Sequence, residues 1–224
     1  MRSVPTFQPF SIMTFSRKAA KKNKLHSKAG VTLTELLIGM TISAAALGGT
    51  ISLFLMGSTT AANGMGRLLI NRDIRNFTNE MIENARYADY FKTYTSFSDR
   101  TEQNDGSSGD FLILVHRDVS DPDKISRVIG YYRYTLSEEA EGPVLMFDNK
   151  YSPSTSTDLG TLLPAADTKG THGEIIELSN GLSDGKLFYN FYDRSVVVRG
   201  EIIHNGAIGE HVTNTYNFTI SPRG

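Results

Sequence analysis

Glu35 is the residue whose position most needs a chemical reason. It heads an apolar run in which no Lys, Arg, Asp or Glu occurs from Leu36 to Gly66. Leu36 to Gly57 alone supplies 22 residues, and about 20 apolar residues are enough to cross a bilayer. A carboxylate at the edge of hydrocarbon is costly unless it finds a positive partner or reaches the interface, so the chemistry it offers is charge pairing.

The other residue types that could do chemistry are scattered. Of the five histidines, His26 lies near the N-terminus. His116, His172, His204 and His211 lack the short H-x-x-x-H spacing and the acidic neighbours of a zinc site. His204 and His211 are expected to meet across a hairpin closed by Asn205-Gly206. Asp118, Asp121 and Asp123 around Pro122, and Asp184 beside Gly185 with Asp193 further on, could supply hard oxygen ligands. Neither group has the ligand alternation of a calcium loop. No nucleophile motif, phosphate-binding loop or dinucleotide fingerprint occurs, and Ser107-Ser108-Gly109 reads as a turn. The expectation is no catalytic residue, no enzyme activity and no cofactor, with calcium the one metal left open. No basic and aromatic surface pattern points to nucleic acid.

The elements around Glu35 give it a setting. The first 30 residues hold seven Lys or Arg and no acid, while the remaining residues hold 16 basic and 24 acidic ones. Basic residues flanking an apolar segment stay in the cytoplasm, which places the acidic remainder across the membrane. On this pattern a signal anchor and a cleaved secretory signal, cut near Ala61 or Ala62, both stand. Glu35 fits neither well, because a carboxylate at the start of the apolar region opposes insertion.

Gly30 followed by Val31-Thr32-Leu33-Thr34-Glu35-Leu36-Leu37-Ile38 resembles the processing site of type IV prepilins and of type II secretion pseudopilins. The resemblance implies a basic leader of residues 1–30, cleaved between Gly30 and Val31 by the prepilin peptidase on the cytoplasmic side, with N-methylation of Val31. Met13 as the start would leave a leader of 18 residues. Val31 departs from the Phe most common at the first mature position. Glu35 is then the assembly residue, one helical turn from the new amine. Packing helices side by side lets the amine of one subunit meet the Glu35 carboxylate of its neighbour, relieving a few kcal/mol per buried charge.

The helix that positions these residues is expected to run from 31 to 90, with a membrane and assembly part at 31–63 and an amphipathic part at 67–90. Gly39, Gly48, Gly49 and Gly57 give small faces for close helix approach, and Gly64-Met65-Gly66 is a place for a kink or fraying. Leu68, Ile70, Ile74, Phe77, Met81, Ala85 and Ala88 form an apolar stripe, with Arg67, Arg72, Arg75, Glu83 and Arg86 opposite. Beyond Thr93 come short β-like segments at Phe111–His116, Arg127–Leu136, Val144–Phe147, Glu174–Leu178, Leu187–Tyr192, Ser195–Ile203 and His211–Ile220. Residues 151–171, with Pro153 and Pro164, read as a long surface loop. The last strand places Val212, Asn214, Tyr216, Phe218 and Ile220 on one face. With no cysteine in the chain, the domain folds without a disulfide, and its size permits that.

The fold class is therefore α+β, and the resemblance makes it pilin-like: a long N-terminal helix packed by its distal half on an antiparallel sheet domain at 91–224. The resemblance implies a structural subunit, of the larger minor kind by its length. Its implied partners are other pilin or pseudopilin subunits, the prepilin peptidase and methyltransferase, and the inner-membrane assembly platform. A bacterial inner-membrane location follows, with the N-terminus cytoplasmic and the C-terminal domain outside. The different-class alternative is an exported binding module or enzyme domain on a signal anchor.

Overall fold

The computed structural model describes residues 30–135, 141–182, 184–205 and 211–223. The leader expected at 1–30 lies outside them except for Gly30. The chain divides into two compact units, Met1–Thr50 and Ile51–Gly224. The described part of the first is helix from Leu33 onward, and the second holds the rest of that helix and the sheet. The fold class is α+β, one long apolar N-terminal helix with a large antiparallel sheet.

Helix α1 covers Leu33–Tyr87, 55 residues. It passes through Gly64, Met65 and Gly66 as helix, so the fraying expected there is absent. It stops three residues before the expected Tyr90, because the sheet captures the chain: the Asp89 amide donates to the Val115 carbonyl at 2.8 Å. His116 Nδ1 bonds the Tyr87 carbonyl at 2.9 Å, satisfying one of the acceptors a helix C-terminus leaves open.

The strands are β1 Tyr90–Tyr94, β2 Glu102–Gln103, β3 Ser108–Gly109, β4 Phe111–Arg117, β5 Ile125–Arg133 and β6 Glu141–Thr155, followed by β7 Gly173–Asn180, β8 Phe188–Phe191, β9 Ser195–Asn205 and β10 His211–Ile220. Their order is β2-β1-β4-β5-β6-β7-β9-β8-β3, with β10 on the other side of β9. One side of β9 is shared: β8 pairs at Ser195–Val198, and β7 pairs at Glu201 and Ile202. Gly200 lies between the two, where an added Cβ would come within 2.4 Å of the Tyr216 hydroxyl and 2.9 Å of the Asn180 carbonyl. Glycine is required at that crossing.

The path nearly closes on itself. β3 and β4 are one stretch of chain interrupted at Asp110, pairing β8 before it and β1 and β5 after it. Asp110 is 5% exposed. Its carboxylate accepts from Arg133 Nη2 at 2.8 Å, Lys186 Nζ at 3.0 Å and the Leu187 amide at 3.2 Å. A buried carboxylate is tolerable only when paired and hydrogen-bonded in this way, and here the pairing fastens the two ends of a barrel-like sheet.

The helix covers one sheet face. Ile70, Phe77, Met81, Ala85 and Ala88 are buried among residues such as Tyr131, Ile202 and Tyr216, with Ile74 packed alongside. Phe77 meets Tyr216 and Phe218 edge-on at centroid distances of 5.6 and 5.8 Å. Leu68, expected in this stripe, is 70% exposed. Gly66 is the point of approach instead, since an added Cβ would touch Val212 at 3.4 Å.

The second face carries its own core. Phe97, Phe111, Ile113, Val128, Tyr132 and Phe147 lie under Leu159 and Leu163. The segment expected as a surface loop at 151–171 is therefore a cover. Its first residues extend β6 to Thr155, Leu159–Leu162 form the one-turn helix α2, and Ala166–Thr168 form a 3₁₀ turn. Asp158 caps α2 by accepting from the Gly160 amide at 2.9 Å. Tyr132 stacks on Phe97 at 4.2 Å, and its hydroxyl meets His172 Nδ1 at 2.7 Å.

Other segments differ in extent. The strand expected at Val144–Phe147 spans Glu141–Thr155. That expected at Arg127–Leu136 is Ile125–Arg133, with Leu136 outside the described residues. β8 ends at Phe191, and Tyr192 instead turns with φ 55°.

Candidate functional site

The helix head is the site that the sequence singles out. Gly30 and Val31 precede α1 outside any helix or strand, with Val31 73% exposed. A Cβ on Gly30 would meet nothing within 4 Å. Among the described residues, no packing asks for glycine at this position.

Thr32 and Glu35 close a reciprocal pair at the helix start. The Glu35 amide donates to Thr32 Oγ1 at 3.3 Å, while Glu35 Oε2 accepts from the Thr32 amide at 3.0 Å and from its hydroxyl at 2.9 Å. This is a capping box, which satisfies two of the amides that a helix N-terminus leaves open. The T-x-x-E spacing that specifies it is visible in the sequence, and it gives Glu35 a local task of its own, at the start of the helix. Both residues are exposed. The negative side chain also sits in the first turn, the favourable end of the helix dipole.

Beyond Glu35 every large apolar side chain through Met56 is more than half exposed. Added Cβ atoms on Gly39, Gly48, Gly49 and Gly57 would meet nothing within 4 Å. The apolar part of α1 is unburied, and the helix is long and apolar enough to cross a membrane or to serve as a signal sequence. Water is a poor solvent for such a surface, and lipid or other helices are the environments that suit it.

The remaining candidates are occupied or separated. His204 Nε2 lies 3.2 Å from Asp73 Oδ2, and its Nδ1 lies 3.8 Å from Glu177 Oε2. It does not meet His211: the register sets His204 opposite Val212 and His211 opposite Asn205, which puts the two histidines on opposite faces. Asp118 accepts from the Ser120 amide and Asp121 pairs with Lys124, each at 2.8 Å. Asp184 pairs with Arg199 at 3.1 Å, and Asp193 accepts from Asn190 Nδ2 at 2.6 Å. Among the described residues no group of three or more His, Cys, Asp or Glu is arranged to hold a metal ion.

One concave feature went unread in the sequence. An open cleft of about 640 Å³ is lined by Asp89, Tyr90, Phe91, Arg117, Arg194 and Pro222, with Asp193 at its side. The Arg117 guanidinium lies 5.1 Å over the Tyr90 ring. The adjacent β8–β9 turn holds Tyr192 and Asp193 at φ 55° and 50°. They are the central residues of a Phe191–Arg194 turn, closed by the Arg194 amide donating to the Phe191 carbonyl at 3.2 Å, and they take left-handed values without glycine or asparagine at either position. The cleft offers charge and aromatic surface, and its lining includes no serine, cysteine or histidine among the described residues.

No protein-family model, no curated protein and no solved structure matches this chain.

Proposed function

We propose that this chain is a pilin-like structural subunit of a type IV pilus or a type II secretion pseudopilus, of the larger minor kind. In this reading it is cleaved between Gly30 and Val31, methylated at Val31 and assembled through its N-terminal helix. The observation that carries the reading is the helix head. α1 starts three residues after Gly30, and Glu35 is its only charged residue before Arg67. Gly30 meets no neighbour among the described residues that would require glycine, which accords with its being read by a peptidase. The apolar side chains of the head are left for lipid before assembly and for neighbouring helices after it.

In the assembled state Glu35 serves twice. Its carboxylate holds the Thr32 amide, which sets the first helical turn, and its remaining acceptor capacity is open to the Val31 amine of a neighbouring subunit. The partners are the other subunits, the peptidase and methyltransferase, and the assembly platform. The precursor sits in the inner membrane with the sheet domain outside the cytoplasm.

The capping box favours a second reading, since a plain signal anchor would also profit from a well-formed helix start. A single experiment separates the two. The mature N-terminus of membrane-extracted protein is determined, and Glu35→Ala and Glu35→Gln variants are scored for co-purification with pilin-like subunits. A chain starting at Val31 that loses assembly but keeps cleavage in both variants supports the subunit. A chain starting at Met1, Met13 or near Ala61 sinks it, as does unimpaired assembly of Glu35→Ala.

A further inference from the structure

The distal part of α1 has a second regular face. Opposite the buried stripe, Leu68, Arg72, Arg75, Asn79, Ile82 and Arg86 follow one another at spacings of four and three, and all six are exposed. This is the seam pattern with which a helix meets a partner. Leu68 is 70% and Ile82 45% exposed, Ile82 lying beside Ile220 at the edge of the sheet. Arg75 and Arg86 have no ion-pair partner among the described residues, while Arg72 is paired only with its neighbour Asp73 at 3.2 Å. The single acid on this side is Glu83, so the seam is cationic and apolar.

The rest of the domain has the complementary charge. Residues 88–224 hold 20 acidic and 12 basic side chains. On the other flank of the same helix, Asn76, Glu80, Met146, Gly173, Glu174 and Ile175 line a shallow cleft of about 350 Å³. Met146 and Ile175 offer apolar surface, and Glu80 and Glu174 have no hydrogen-bond or ion-pair partner among the described residues. Half-burial of Glu80 pushes its carboxyl above the usual range, as expected of a carboxylate that lacks a counter-ion. An apolar floor with two carboxylates at the rim suits an arginine, whose stem packs while its guanidinium pairs.

We propose that the Leu68–Arg86 seam docks a second copy of this chain, with Arg75 of one copy entering the Glu80–Glu174 cleft of the next. Seam and cleft are different patches of one surface, so the contact is heterologous and does not close a symmetric dimer. The inference rests on the subunit reading above and adds a contact outside the membrane to it. Other proteins could also carry acid, but the second copy is the occupant whose complementary cleft is present in this chain.

The absence of cysteine makes the test direct. Two differently tagged full-length copies are co-expressed in membranes, one with Asn79→Cys on the seam and the other with Asn76→Cys at the cleft, and then oxidised. The expected result is a disulfide-linked product carrying both tags. It should fall about tenfold or more when the seam copy also carries Arg75→Glu, as reversal of an interfacial charge implies. It should return when the cleft copy carries Glu80→Arg and Glu174→Arg, which also shows that the reversed chains fold. Loss of the product with Glu35→Ala but not with Arg75→Glu overturns the seam and leaves the subunit reading standing. A product that survives Glu35→Ala and responds to the charge swap upholds the seam and removes assembly through Glu35. Linkage only to a different protein overturns the second copy as occupant.

Discussion

The two stretches of α1 use similar residues to opposite ends. From Leu33 to Gly66 the apolar residues surround the axis, and every large one through Met56 lies open. From Arg67 to Tyr87 they gather on one side, and Ile70, Phe77 and Met81 reach 0% exposure. Leucine, isoleucine and phenylalanine occur in both stretches, so composition does not separate them. Period does. A stripe at 3.6-residue spacing is completed by one sheet face, whereas an all-round apolar surface can be completed only by lipid or by several other helices. Placement of the charged residues then follows: four arginines and three acids in the distal stretch, and one glutamate at the head.

The largest expected effect comes from removing the distal stretch. A chain starting at Arg67 should be soluble and melt cooperatively, while one starting at Tyr90 exposes the sheet face lined by Leu112, Tyr131 and Ile202 and should aggregate or lose its transition. Circular dichroism with thermal melting on both decides it. Equal melting would mean that the helix is no part of the domain core.

The same side chain should matter differently in the two stretches. Phe77→Ala removes a ring at 0% exposure that touches Tyr131, Tyr216 and Phe218, and should cost about 3–5 kcal/mol of domain stability. Phe54 is 73% exposed, and Phe54→Ala should change domain stability by no more than about 0.5 kcal/mol. Urea unfolding of both variants in the full chain in detergent measures the difference, and similar costs would erase the distinction between the stretches.

The smallest effect is one of pH, at the point where α1 ends. His116 is 8% exposed and bonds the Tyr87 carbonyl, and burial pulls its pKa below the ordinary histidine value. The unfolded chain therefore binds the proton more readily than the folded one. Stability from this group is complete above the unfolded value of about 6.5 and declines as pH falls from there to the lowered folded value. Tm should drop by a few degrees across that window, with part of the slope absent in His116→Gln. His172, also lowered by burial, supplies another part. A slope unchanged by His116→Gln would show that the helix end is not proton-sensitive.

Much of this was legible in the residues. The uncharged run, the buried stripe and the alternation of β10 are periodic and local, and the structure keeps them, with Leu68 and Asn214 left exposed. The Thr32–Glu35 capping box was equally local, a pattern of four residues. The second sheet face was not legible in this way. Phe111 to His116 is buried without alternation, the mark of a strand covered on both sides. What covers its far side is a segment whose Ser, Thr and Pro content reads as loop. Leu159, Leu162 and Leu163 do keep a helical i, i+3, i+4 spacing there, but a single turn is too short for its period to stand out from the Ser, Thr and Pro around it.

The sequence by itself determined a basic leader-like start, a membrane-length helix headed by Glu35, an amphipathic continuation and a β-rich remainder. Each is encoded within a few neighbouring residues, where spacing along the chain maps onto direction in space. Only the tertiary structure decided that Asp110 fastens a nearly closed sheet through Arg133 and Lys186, that His204 lies between Asp73 and Glu177, and that Arg75 and Glu174 lie on separate patches of one surface. Those relations join residues from distant parts of the chain. The free energy that selects them is the pairing of charges and the burial of apolar surface between elements, which no local pattern records.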